Sequence, residues 1–172
     1  MSALFSADYQ KLNQQLHRDQ PQWGTTGHKW VGVVQTLMKN YSSSEILDYG
    51  CGKQSLNAAL GGGVRGYDPG IPELSSSPAP ADIVVCTDVL EHIEPDYLEA
   101  VLDDIHRATR RAALLVIATR PAIHLLPDGR NAHLVQMPIG WWRKRVERRF
   151  QLVYEHNIRD LECVFLGEPL PR

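Results

Sequence analysis

The sequence predicts an α/β protein: an open, mostly parallel sheet with helices on both faces, ending in an antiparallel hairpin. Three observations carry that expectation. Short apolar runs ("EILDYG", "DIVVCT", "AALLVIAT") alternate with segments of helical periodicity, the signature of repeated βα units. The runs are nearly continuous rather than alternating, as in strands buried on both faces. Near the C-terminus, "FQLVYEH" and "LECVFLG" are separated by only a few residues, too few for a crossover, so they must pair antiparallel. With 172 residues, 43% of them hydrophobic and 22% charged, the chain suits one globular domain over 1–172.

The elements follow in order. Trp30, Val33, Val34, Leu37 and Met38 recur at helical spacing and predict a helix over 28–40. "EILDYG" is a buried strand, "SLNAAL" a helix stopped by "GGG", and "VRGYD" a second strand. Residues 69–81, "PGIPELSSSPAPA", hold four prolines, one glycine and three serines in thirteen positions. That composition excludes a regular helix and argues against a strand. "DIVVCT" is the next core strand, expected to begin at Asp82. Asp96, with Glu99 three residues on, is placed to cap a helix whose inner stripe is Leu98, Val101, Leu102 and Ile105. "AALLVIAT" is a further central strand, followed by a polar loop and a helix over 138–149 with Pro138 in its first turn.

Composition excludes several functions. A net charge of -2 gives no global attraction to nucleic acid or anionic membrane. No apolar run approaches a membrane span, and "MSALFSADYQ" lacks the regions of a signal peptide. Cys51, Cys86 and Cys163 are sparse and lack metal-ligand spacing, which points to reduced thiols in a cytoplasm. The run "WWRKRVERRF" carries five basic residues and two tryptophans, open to a phosphate backbone or to a solvated surface. Nothing in the sequence sets the oligomeric state.

The first strand ends in "ILDYGCGKQSL". A glycine-rich turn there lets backbone approach a ligand that a Cβ would exclude. Asp68 follows Asp48 by twenty residues, at the end of the second strand, where an acid can accept hydrogen bonds from ribose hydroxyls. Asp48, Gly50, Gly52 and Asp68 thus form a candidate nucleoside site.

Taken together, "ILDYGCG", "VRGYDP" and "ADIVVCTDVLEHIEP", with the terminal hairpin, resemble the class I S-adenosylmethionine-dependent methyltransferases, over about residues 28–167. The resemblance implies a Rossmann-like sheet and S-adenosylmethionine as cofactor. It places Asp48, Gly50 and Gly52 against the methionine part, Asp68 on the ribose, and Thr87, Asp88 and Val89 beside the reacting methyl. It makes residues 1–27 a lid or cap segment, with Thr25 in an anion-accepting turn or a simple loop. Two departures stand out. Gln54 occupies the third glycine position of the family's D-x-G-x-G-x-G pattern, tolerable if its side chain points outward. The shortened 69–81 segment leaves no room for the family's third strand, so six strands are expected, with a less closely specified adenine pocket.

The implied chemistry is attack on a sulfonium methyl, most simply by a hydroxyl oxygen, with Glu91, His92 and His133 as candidate catalytic groups. Arg120, Asp128, Arg130 and Asn131 lie in the loop where substrate would be met. The acceptor is unidentified: a small molecule is favoured and nucleic acid stays open. Asp88, Glu91, His92 and His133 also resemble the acid-x-x-Glu-His plus distant His of small-RNA 2′-O-methyltransferases and ubiquinone-pathway O-methyltransferases. That likeness implies a divalent metal; hydrogen bonding by Glu91 and His92 at a helix start is the alternative. A non-catalytic module that binds S-adenosylmethionine or S-adenosylhomocysteine and acts through a partner is the second functional class. A nicotinamide dehydrogenase fails for want of a G-x-G-x-x-G turn.

Overall fold

The structure, a computed structural model, describes residues 3–171. Six strands form one sheet: β1 (Ile46–Tyr49), β2 (Val64–Tyr67), β3 (Ala81–Thr87), β4 (Thr109–Ala118), β5 (Phe150–Ile158) and β6 (Glu162–Pro169), in the order β2-β1-β3-β4-β6-β5. β1 pairs in parallel with β2 on one side and β3 on the other, and β3 pairs in parallel with β4. β6 inserts antiparallel between β4 and β5, as the short link required. Strand order therefore reverses at β1, and the carboxyl ends of β1 and β3 define the crevice where such sheets bind ligands.

Each face of the sheet is covered, because alternate side chains of the buried strands point opposite ways. Leu47, Val84, Cys86, Leu115 and Ile117 meet helices α4 (Leu98–Ala108) and α5 (Ile139–Val146) on one face. Ile46, Ile83, Val85, Leu114 and Val116 meet α2 (Val31–Asn40) and the short α3 (Ser55–Ala59) on the other. The stripe of α4 is almost fully buried, worth about 1.5–3 kcal/mol for each large apolar side chain before entropy is subtracted.

Several expectations need adjustment. The helix read over 28–40 is a 3-10 turn, Gly27–Trp30, running into α2. Asp96 does not cap α4: Pro95–Tyr97 form a separate 3-10 turn and the helix starts at Leu98. Glu99 is drawn instead to Arg145 and Arg149. Helix α5 stops at Val146, three residues short, because Arg149 leaves it to pair with Asp103 and Glu99. Between Asp68 and β3 the chain makes only a 3-10 turn, Pro72–Leu74, and β3 begins at Ala81, one residue before Asp82. No third family strand forms among the described residues.

One element had no counterpart in the sequence reading. Residues Ala7–Asp19 form helix α1, capped by Ser6, whose hydroxyl accepts from Tyr9 N at 3.1 Å. Glu94 accepts from both the backbone N and the Oγ of Ser6 at 2.8 Å. Tyr9 and Leu16 of α1 pack with Leu126 and Ala132 of the loop after β4 in a third small core. No helix among the described residues is long and apolar enough to cross a membrane.

Candidate active site

A cavity of about 310 Å³ opens at the carboxyl ends of β1 and β3, between the sheet, α1 and the loop after β4. Its floor is the glycine turn. Gly50 and Gly52 both have positive φ, 79° and 49°. The N–H groups of Gly50 and Cys51 donate to Tyr67 O at 2.7 and 3.0 Å, tying the turn to β2. A Cβ on Gly50 would collide with the methyls of Val89, and one on Gly52 would fall 2.5 Å from the carbonyl oxygen of Gly24. These glycines thus admit Val89 and the N-terminal segment to the turn.

Asp68 holds the turn from the β2 side: Oδ2 accepts from Gly52 N and Oδ1 from Gly70 N, both at 2.9 Å. Asp48 also lines the cavity and is nearly buried. Burial, and then the neighbouring charge of Asp68, push its carboxyl up to about 7. A cation entering beside these two acids would restore the ionised form.

Gln54 lies outside the cavity lining, with its Cγ towards Gly66 on β2. Its side chain points away from the ligand side, yet its backbone is left-handed, φ 56° and ψ 34°.

The N-terminal segment lies across the turn. Lys53 N donates to Gly24 O at 2.9 Å, and Lys53 Nζ reaches the carbonyls of Gln20 and Pro21. Thr25 is not part of the cavity wall: its hydroxyl donates to Gln22 O at 2.8 Å and closes a local turn. Thr26, one residue on, faces inward and donates to Asp88 Oδ2 at 2.7 Å. Asp88 is itself left-handed, φ 55°, a conformation that Asp tolerates better than most residues.

Beyond Asp88 a 3-10 turn, Leu90–His92, places the remaining candidates. Glu91 is fully buried; Oε1 accepts from Ala118 N at 2.9 Å, while Oε2 has no partner among the described residues. Burial, then Asp88, raise its carboxyl to about 8. His92 Nδ1 lies 2.7 Å from Ala132 O, and His133 Nδ1 lies 2.6 Å from Arg120 O. A carbonyl can only accept, so each Nδ1 carries the proton and each Nε2 keeps a free lone pair. Burial, then His133, hold His92 down to about 3; burial lowers His133 as well.

One ligand atom from each of Glu91, His92 and His133 lies within 4.8 Å of the others. The orphaned carboxylate oxygen and two imidazoles oriented by backbone carbonyls fit a divalent cation. Asp88, read with them from the sequence, is not among the three groups that converge; its Oδ2 accepts from Thr26.

The loop residues separate by role. Arg120 lines the cavity. Asp128 and Arg130 pair with each other at the loop tip. Asn131 organises the loop, its Oδ1 accepting from Ala122 N and His133 N and its Nδ2 donating to Ala122 O. Thr87, Asp88 and Val89 all line the cavity. Trp23 and Gly24 of the expected lid segment line it too, as do Tyr9, Asn13 and His17, which were missed. Their signal was Ser6 followed by Tyr9 and Leu16, a capped helix start with a sparse apolar stripe.

The basic run through α5 and just beyond it is largely committed to acids and rings: Arg143 to Glu155, Arg145 to Glu99 with its guanidinium 3.3 Å from the Trp141 ring centroid, and Arg149 to Asp103.

The fold and the glycine turn together define a Rossmann-like methyltransferase domain. The family model described as a methyltransferase domain matches residues 22–163. The chain belongs to that family, and so to the class I S-adenosylmethionine-dependent methyltransferases. Among solved structures it is similar to the magnesium protoporphyrin IX methyltransferase of Synechocystis with bound S-adenosylmethionine: TM-score 0.68, 15% identity, covering 99% of this chain and 100% of that one. It is also similar to the 1,6-didemethyltoxoflavin-N1-methyltransferase of Burkholderia thailandensis, bound to 1,6-didemethyltoxoflavin and S-adenosylhomocysteine: TM-score 0.68, 14% identity, covering 99% and 94%. No curated protein matches the chain.

Proposed function

We propose that the protein transfers the methyl group of S-adenosylmethionine to a hydroxyl oxygen of a small-molecule acceptor. The observation that carries this reading is one cavity lined both by buried acids and by imidazoles with free ring nitrogens. Asp48 and Asp68 flank the glycine turn, and the rings of His92 and His133 reach the same space. The cofactor carries an ammonium and a sulfonium, and two buried carboxylates suit both cations. In this assignment Asp48, Gly50 and Gly52 hold the methionine part, with Gly24 and Thr26 as the opposite wall. Asp68 accepts from the ribose, and Thr87, Asp88 and Val89 border the methyl.

The reaction is an in-line displacement. The acceptor oxygen forms a bond to the methyl carbon as the carbon–sulfur bond breaks. Its electron pair goes to sulfur, which becomes a neutral thioether. The hydroxyl proton must leave, and His133 Nε2 is the better base, because His92 is held too low to take it. In the alternative arrangement Glu91, His92 and His133 would hold a divalent ion, which would make an acceptor hydroxyl acidic enough to lose its proton to solvent, with His133 Nε2 then serving as a ligand and not as the base. The loop after β4 and α1 exclude water and align the acceptor.

A small acceptor is favoured over nucleic acid because Arg143 and Arg145 of α5 and Arg149 just beyond it are engaged in ion pairs. The two similar structures are also named for small-molecule substrates. A cytoplasmic site of action accords with three buried, unpaired cysteines. The test combines calorimetry with S-adenosylhomocysteine and transfer of labelled methyl to a panel of phenols, alcohols, amines and thiols. Transfer to hydroxyls with release of S-adenosylhomocysteine supports the reading; binding with turnover only on nitrogen or sulfur overturns the oxygen assignment.

A further inference from the structure

Helix α1 meets the turn after β2 through three side chains on successive turns, Gln10, Asn13 and His17. Gln10 Nε2 donates to Pro69 O at 3.2 Å. One turn on, the amide of Asn13 lies against Gly70, so close that a Cβ there would be 2.8 Å from Nδ2 and 3.1 Å from Asp68 Oδ1. A further turn on, His17 is wedged between Gly24 and Asp68, its Nε2 4.0 Å from Asp68 Oδ2. The buried Nδ1 of His17 has no partner among the described residues. Asn13 and His17 both line the cavity.

A separation of 4.0 Å is too long for a direct hydrogen bond, but one hydroxyl about 2.8 Å from each atom spans it. Such a hydroxyl donates to the carboxylate and accepts from the imidazole N–H. Asp68 keeps acceptor capacity for this, since each oxygen has two lone-pair sites and only one backbone donor. We infer that α1 is the ribose-reading element of the site: His17 and Asn13 complete, with Asp68, a ring of hydrogen-bonding groups around the two sugar hydroxyls of the bound nucleoside. The helix thereby supplies side chains beside the 69–81 segment, which has no strand or longer loop of its own to do so. This rests on the cofactor reading above and deepens it, making the cavity selective for an intact ribose diol.

The test is calorimetry with S-adenosylhomocysteine and its 2′-deoxy and 3′-deoxy counterparts on wild type, His17→Phe, His17→Gln and Asn13→Ala, with melting curves as the folding control. Wild type should prefer the full ribose by about tenfold or more over at least one deoxy compound. His17→Phe or Asn13→Ala should shrink that ratio to about twofold, and His17→Gln, which keeps an N–H donor, should recover part of it. A helix that merely fills space would weaken all three compounds alike and leave the ratio intact. An unchanged ratio in both the Phe and Ala variants overturns the inference while the cofactor reading stands. Wild type that takes up none of the three overturns both.

Discussion

The backbone N–H of Gly52 donates to Asp68 Oδ2 across 2.9 Å, so the acid that should hold the ribose also holds the turn beneath it. The same carboxylate accepts from Gly70 N. Asp68→Ala is therefore expected to act twice. It should weaken S-adenosylhomocysteine binding by about 1–3 kcal/mol, and lower the stability of the ligand-free protein by a similar amount, since two backbone donors lose their acceptor. Calorimetry and urea unfolding on the same variant separate the two effects. Unchanged stability with weakened binding would mean the turn is held by Tyr67 O alone.

Gln54 sits at φ 56°, a conformation that a side chain disfavours and glycine accepts freely. Because its side chain leaves the cavity, Gln54→Gly should raise stability by about 0.5–1 kcal/mol and change cofactor affinity by less than about twofold. The check is a denaturant midpoint together with a binding isotherm. Loss of binding would make Gln54 a ligand-contacting residue.

These two residues show what was legible in the sequence. The mostly parallel sheet, the hairpin and the strandless 69–81 segment follow from local patterns: apolar runs, short links and prolines, each acting within a few residues. The glycine turn and Asp68 are spaced by the βαβ unit itself, so their positions survive without any knowledge of packing. Helix α1 was not legible, because its few apolar side chains pack against a loop more than a hundred residues away rather than on the sheet. Thr25 and Thr26 are indistinguishable in sequence; which one faces Asp88 depends on how Gly24 lies against Gly52. The contact between Asp88 and Thr26, and its place apart from Glu91, His92 and His133, is tertiary in the same way.

Two buried acids set a pH dependence with a definite sign. Asp48 rises from 3.8 to about 7 and Glu91 from 4.5 to about 8 on folding, both chiefly through burial. Between the unfolded and folded values the native state holds protons that the unfolded chain has lost. Their effect is thus a loss of stability as pH rises from about 4 to about 8, complete above that. The urea midpoint of wild type, compared with Glu91→Gln and Asp48→Asn at pH 5.5, 7 and 8.5, should show a steeper decline in wild type than in either variant. Parallel curves would place the two protons elsewhere.

The same linkage gives the metal reading its sharpest test. A divalent ion held by Glu91, His92 and His133 would need Glu91 ionised, so it would compete with the proton that burial favours. Chelator-treated protein given manganese, cobalt or zinc should melt higher, by the equivalent of about 2.7 kcal/mol at a hundredfold excess over Kd. The gain should be larger at pH 8.5 than at pH 6. His92→Ala, His133→Ala and Glu91→Gln should each abolish it, whereas Asp88→Asn should leave most of it, because Asp88 is held by Thr26 and lies outside the cluster. Cobalt adds a visible absorption band that reports mixed nitrogen and oxygen ligation independently of turnover. On an accepted hydroxyl substrate, chelation should cut the rate at least about tenfold, with recovery on metal return. A melt indifferent to metal, with turnover that survives chelation, would reject the ion. His133 would then remain as the base, and His133→Ala would lower kcat while sparing cofactor affinity.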